Sequence, residues 1–398
     1  MHSGISDWPL PDVDDSLIVD FDIFDVKPVD GDLHAGYHKL HSGPDIFYTP
    51  KNGGYWVLTR ADDIYDVMRD HERFSNHGVA LMREHEGVRF IPGEIDPPIH
   101  TAFRKVLNPQ TSPKRVREFE DSSRNLCIKL VEELKDQGGC EFRSSISEVM
   151  PIYNFLFFMS LPVEHAEKLV PPAAVIARER DLDAFAQAME EIRGYIEDRI
   201  DERLTDPRDD FISHVLAAEI EGRPIAREEA VVTVLNVMLG GLDTVTGSMG
   251  FFFNYLARHP AIRRKLVDEP GMIPEAIEEL LRRHGIFNTG RLVKQDCEHK
   301  GITFRQNDLI LISGTLHNLD DRKFSDPLKV DFDRKEGAHL TFGVGIHRCL
   351  GSNIARAQLR ILLEEWLKRI PEFAIAPGKD VKVQSGRTNA VVELPLSW

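Results

Sequence analysis

Cysteine is scarce. The 398-residue chain has four, Cys127, Cys140, Cys297 and Cys349, which excludes a disulfide-stapled secreted scaffold and fits a reducing cytosol. Positive charge is short too. Lys and Arg number 49 against 65 Asp and Glu, a net charge of −16. A surface that acidic is repelled by phosphate backbones, which argues against nucleic acid as a partner. The opening Met1-His2-Ser3-Gly4-Ile5-Ser6-Asp7 has neither a basic nor an apolar stretch, so no signal peptide is expected. Internal repeats, low-complexity tracts and flexible linkers are missing as well. Length alone allows two or three domains; without linkers, a single unit over residues 1–398 is expected. Hydrophobic residues make up 42%, enough for a sizeable core and too many for a disordered chain.

Long apolar runs are reduced to one. From Val231 to Ala257 the only charge is Asp243. That length spans a bilayer. Gly240, Gly241, Gly247 and Gly250 interrupt it, however, and Glu228-Glu229 and Arg258-His259-Pro260 provide ordinary helix ends. The run therefore predicts a buried central helix with a functional acid, and no membrane.

Helical spacing dominates the rest. It predicts helices over 61–70, 97–107, 113–136, 163–178, 182–204, 209–220, 261–266, 273–283 and 351–369. Strands are expected at 46–49 and 55–59, turned by Lys51-Asn52-Gly53-Gly54, and at 302–304, 309–312 and 390–394. A Pro- and Asp-rich meander covers 320–335, and residues 1–50 are loop-rich and acidic apart from the strand at 46–49. The fold class is mainly α with a small β part.

One stretch carries chemistry: Phe342-Gly343-Val344-Gly345-Ile346-His347-Arg348-Cys349-Leu350-Gly351. Glycine lets backbone turn tightly and approach a flat ligand. A cysteine before a helix feels the positive dipole end and free N–H groups, which favour thiolate. A single thiolate so placed suits haem iron. Zinc is the weaker rival, because His347 and Cys349 lack a second ligand pair at usable spacing. Cys127, Cys140 and Cys297 read as structural.

This stretch resembles the haem-binding loop of the cytochrome P-450 superfamily, matching at Phe342, Gly345, Cys349 and Gly351. The resemblance implies haem b with Cys349 as iron ligand, between a long central helix and the helix after the cysteine. Other motifs follow in the superfamily's order. Glu279-Leu280-Leu281-Arg282 reads alone as a surface ion pair; the resemblance implies a buried pair with Arg334 as third partner. Gly240-Gly241-Leu242-Asp243-Thr244 places Gly240 four residues before Thr244, whose hydroxyl can bond the i−4 carbonyl and loosen the helix. By resemblance, Gly240 leaves room for dioxygen, and Asp243 and Thr244 are the acid–alcohol pair that delivers protons to it. His100, Arg104, Arg291 and His347 match positions that hold the haem propionates.

Gly240–Val245, Glu278–Arg283, the Lys368–Pro377 outline and Leu394-Pro395-Leu396 resemble the bacterial camphor 5-monooxygenase family over nearly the whole chain. That family holds its ketone with a tyrosine hydroxyl shortly before Phe-Ile-Pro. Here Phe90-Ile91-Pro92 is present, but Val88 takes the tyrosine position and has no donor. Camphor is therefore not expected to be the best substrate. Asn236 replaces an apolar residue, either as a polar handle or as a partner for backbone. Val79, Leu239, Phe287 and Thr388 are expected to complete the wall. A small, mostly apolar alicyclic or terpenoid ketone fits. No flavin or ferredoxin module is visible, so the resemblance implies electrons from a 2Fe–2S ferredoxin reduced by an NADH-dependent flavoprotein. It would dock near Cys349, where Arg104, Lys105 and Arg348 give local positive charge. A peroxide-driven enzyme and a haem-binding sensor are the alternatives.

Overall fold

The central apolar run forms one helix, Arg227–Arg258. At about 1.5 Å per residue it is roughly 48 Å long. Length and composition would let it cross a membrane, but 19 of its 32 residues are buried inside the protein. Two of its glycines, Gly247 and Gly250, serve packing. A Cβ on Gly247 would lie 2.9 Å from the Asn389 carbonyl oxygen, and one on Gly250 would lie 3.0 Å from the Val391 Cβ. Only glycine lets the strand Ala390–Glu393 lie so close.

The structure, a computed structural model, describes residues 13–78, 89–178 and 182–398. It is mainly helical with small sheets. Helices Val149–Met159, Leu182–Thr205 and Ser352–Arg369 pack against the central helix. A five-stranded sheet runs in the order Ile46–Thr49, Tyr55–Leu58, Leu309–Ser313, Asn288–Val293, Phe74–Ser75. Ile310 pairs with Arg291, so the sheet sets where that arginine stands.

Most expected elements lie within a few residues of their sequence limits. Three differ. The stretch read as helix 209–220 ends at Leu216. Glu219–Ile220 instead pairs with Arg223–Pro224 across Glu221 and Gly222, both at positive φ, a turn that a helix cannot contain. Helix Val149–Met159 has no counterpart in the sequence reading, because apolar residues surround it and leave no polar stripe to reveal a period. Strand Asn288–Val293 (Asn-Thr-Gly-Arg-Leu-Val) shows no alternation, yet it is mostly buried within the sheet. In the N-terminal region read as loop, Leu33–His38 is a short helix capped by Asp32.

Candidate active site

The cysteine loop is built by its glycines. Gly343 and Gly345 have φ of 66° and 76°, left-handed backbone that other residues rarely adopt. A Cβ on Gly343 would also lie 2.9 Å from the Met68 Cε. The loop closes where Cys349 N–H donates to the Phe342 carbonyl at 2.8 Å. The helix Ser352–Arg369 follows, with Gly351 as its N-cap.

Cys349 faces a cavity of about 290 Å³. Among the four cysteines it alone is exposed, while Cys127 is buried. Protein still walls in the Cys349 sulfur, so burial pushes its thiol pKa up. The Gly351 N–H and the charges of Arg104, Arg348 and Arg356 oppose that rise. Burial alone dominates at Cys127, pushed up to about 12.

Phe342, His347, Gly351 and Arg104 line the same cavity as Cys349. So do Gly240 and Thr244 of the central helix, with Asn236 and Phe287. A Cβ on Gly240 would meet nothing within 4 Å, so the notch opens into the cavity. Thr244 Oγ1 donates to the Gly240 carbonyl at 2.8 Å. Asp243 does not line the cavity. Its carboxyl accepts from Thr388 and faces Arg143 and Arg387; burial nonetheless pushes its pKa up.

The four expected propionate partners gather at one place. The rings of His100 and His347 lie 4.1 Å apart, centroid to centroid. Both are held neutral, to about 4 and about 2, chiefly by burial and then by neighbouring positive charge. Burial also pulls Arg291 down to about 10, with only the Asp96 charge opposing. Neither ring nitrogen of His100, nor His347 Nε2, has a hydrogen-bond partner. Among the described residues, Arg104 and Arg291 have no ion-pair partner. Buried donors and cations without partners are costly. Two ligand carboxylates would satisfy them, so these residues fit a haem with its propionates here and its iron at Cys349.

Behind the loop, Arg282 binds Glu279 through two bonds of 2.8 Å. Arg334 Nε reaches the same carboxylate at 3.1 Å. Arg282 also donates to the carbonyls of Asn318, Pro327 and Lys329, which ties the meander down.

The wall of the cavity departs most from the sequence reading. Val79 and Val88 lie outside the described residues. Leu239 packs into the apolar cluster with Met238 and Leu242 and does not line the cavity. Thr388 does not line it either: its hydroxyl is turned to Asp243 and its backbone bridges to Phe287. Asn236 Nδ2 donates to the Ile91 carbonyl at 3.2 Å, so its amide serves backbone while it lines the cavity. Among the lining residues that sequence reasoning missed are two amides, Asn154 and Gln358. Both are buried, and both Asn154 amide atoms and Gln358 Oε1 lack partners. The signal for Asn154 was a lone amide in an otherwise apolar helix.

Comparisons with known proteins agree with this geometry. The sequence profile described as Cytochrome P450 matches residues 168–396. The probable cytochrome P450 127A1 of Sinorhizobium fredii is 33% identical over 98% of this chain and 97% of that protein. The steroid C26-monooxygenase of Mycolicibacterium smegmatis is 28% identical over 89% of this chain and 90% of its own. The crystal structure of CYP101J2 superposes with a TM-score of 0.91 at 34% identity, covering 98% of this chain and 100% of that one. CYP101C1 gives the same figures.

Proposed function

The chain belongs to the cytochrome P450 family, and from that membership we propose a soluble, cytoplasmic monooxygenase that hydroxylates a small, mostly apolar alicyclic or terpenoid ketone. O2 is the oxidant, and two electrons come from a 2Fe–2S ferredoxin reduced by an NADH-dependent flavoprotein. One observation supports this best: an accessible thiol shares a cavity with the Gly240–Thr244 notch, beside a cationic cluster that lacks anions.

Haem b, held through a cysteine thiolate in this family, supplies the activation of O2 and the insertion of one oxygen atom into a C–H bond, the other leaving as water. The chain's residues do the rest. Cys349 is the iron ligand. His100, Arg104, Arg291 and His347 take the propionates and in turn gain the partners they lack. Phe342 and Gly351 shape the seat. Gly240 leaves space above it. Thr244 spends its hydrogen on the Gly240 carbonyl, so its oxygen remains an acceptor that can hold a water in the cavity. Asp243, whose pKa burial pushes up, refills that proton position from behind. Phe287 bounds the substrate space, and Asn236 holds the Ile91–Gly93 wall to the central helix.

The reduced carbon monoxide difference spectrum tests the premise. Wild type gives the strongly red-shifted Soret band of a thiolate-bound haem, and Cys349→Ser loses it; survival of the band in that variant overturns the ligand assignment. Thr244→Ala separates this reading from a peroxide-driven enzyme. Product per NADH falls severalfold if the relay operates, and an unchanged yield removes it. A spin-shift titration with camphor and terpenoid ketones tests the substrate class. Full high-spin conversion by camphor at low concentration contradicts the use made of Val88.

A further inference from the structure

Glu278 stands one residue before the buried Glu279 and points the other way. Its carboxylate takes two bonds from Arg356, 2.6 Å from Nε and 2.8 Å from Nη2. It also meets His339 Nε2 at 3.1 Å. These two partners bracket the cysteine. His339 precedes the Phe342–Cys349 turn and Arg356 follows it, on the helix that the turn opens. His339 Nδ1 accepts from Thr341 N–H at 3.2 Å. The Arg356 guanidinium lies over the Phe342 ring at 4.4 Å, within cation–π range. Phe342 in turn accepts the Cys349 N–H. One carboxylate on helix Ile273–Arg283 thus closes a ring of contacts around the loop.

The ring also carries charge. Burial pushes the Glu278 carboxyl up, but bonds from Arg356 and His339 outweigh it and hold the group at about 2, so Glu278 is ionised in the working range. Arg356 is one of three cations whose field acts on the Cys349 sulfur. Glu278 partly neutralises it. The pair is partly exposed, where Coulomb terms are screened, so its effect belongs to the tuning of the ligand and not to global stability.

We infer that Glu278 is a positioning residue for the thiolate ligand: it clamps both ends of the cysteine loop and sets how much of the Arg356 charge reaches Cys349. The inference rests on the haem-thiolate reading. The two fail separately, because a missing thiolate band in wild type defeats that reading, whereas failure of the clamp leaves the band intact.

The test uses haem-loaded Glu278→Gln, Arg356→Gln and the double variant. Two readouts apply: the haem reduction potential by spectroelectrochemistry, and the time course of the ferrous–CO band. Glu278→Gln unmasks the Arg356 charge and should raise the potential. Arg356→Gln removes that charge and should lower it, with the double variant between the two. A loop merely loosened by either change would move both single variants the same way. Freshly reduced Glu278→Gln should show the thiolate-type CO band and lose it severalfold faster than wild type. Potentials that shift together, or not at all, overturn the charge role, and an unchanged band lifetime overturns the clamp. If Arg356→Gln does not load haem, Arg356→Lys, which keeps charge without the two-bond fork, serves instead. It should leave the potential near wild type while shortening the band lifetime; a wild-type lifetime then overturns the clamp.

Discussion

Two buried cationic clusters flank the cysteine loop, and they differ in one respect. Around Glu279, the arginines Arg282 and Arg334 find a carboxylate and a series of carbonyls. Around His347, among the described residues, Arg104 and Arg291 find no carboxylate, Arg291 donates only to the Gly290 carbonyl, and neither His100 ring nitrogen nor His347 Nε2 has a partner. Burial is nearly equal: Arg282 and Arg291 are each 2% exposed. A protein that tolerates the second cluster must complete it with something from outside. The saturated cluster ties down the meander, and the unsaturated one is where our proposal places the ligand's carboxylates.

The largest expected effect breaks the saturated side. Arg282→Ala takes the two-bond partner from the buried Glu279 and leaves it only Arg334 and the Asp331 N–H; breaking a buried pair typically costs ~3–5 kcal/mol and should shift the urea midpoint strongly or prevent folding. The same operation on the other side should go the opposite way. Arg291→Met removes a buried charge that has no ion-pair partner and only the Gly290 carbonyl to bond, so the haem-free protein should gain ~1–3 kcal/mol. Haem transfer to an acceptor apoprotein should meanwhile become faster. A loss of haem-free stability at Arg291 like that at Arg282 would erase the distinction.

An intermediate case lies near the first cluster. Arg283 has one counter-charge, Asp32, and beside it stand His34, whose Nε2 meets the Gly285 carbonyl while its Nδ1 has no hydrogen bond, and His284, whose two ring nitrogens both lack one. Burial, then the Arg283 charge, pulls His34 down to about 4 and His284 well below its ordinary range. The unfolded chain protonates its histidines near pH ~6.5. Below that it binds protons that the folded protein does not take up until about pH 4 at His34. Stability is therefore full above the unfolded value and falls as pH drops, by about 1.4 kcal/mol per pH unit for each such histidine. Urea midpoints at pH 7 and pH 5 measure this, and His34→Gln should flatten the slope. An unchanged slope would mean that His34 titrates normally.

Legibility in the sequence follows the same division. Cys349, Phe342 and Gly351 were readable because a turn, a helix start and a ligand constrain a few adjacent positions. Helix Ile273–Arg283 was readable from its strong amphipathic period, which its two capping-end arginines did not disturb. Helix Val149–Met159 was not, since apolar residues on every face erase the period. The cavity wall was least readable: Phe287 lines it as expected, but Leu239 and Thr388 do not, because their directions depend on tertiary packing. No local pattern encodes that a threonine next to Arg387 turns to Asp243.

That threonine provides the smallest and most discriminating test. A wall residue and a partner for Asp243 respond differently to Thr388→Val, which keeps shape and removes the hydroxyl. The Asp243 carboxyl is pushed up by burial and held back by the Thr388 bond, then by Arg143 and Arg387. Loss of that bond disfavours the charged form, so the pKa should rise further. Where coupling of NADH to product depends on Asp243 ionisation, its pH profile should move to higher pH by less than about one unit, since a single hydrogen bond to a charged group contributes ~1.5–3 kcal/mol before solvent and the two arginines compensate. Ligand affinity in the spin-shift titration should stay within about twofold, because the side chain does not face the cavity and a hydrogen bond worth ~1 kcal/mol to the ligand would show as more than that. A changed affinity with a fixed pH profile would return Thr388 to the wall. A shifted profile with unchanged affinity places it behind the acid, where burial makes one hydroxyl count.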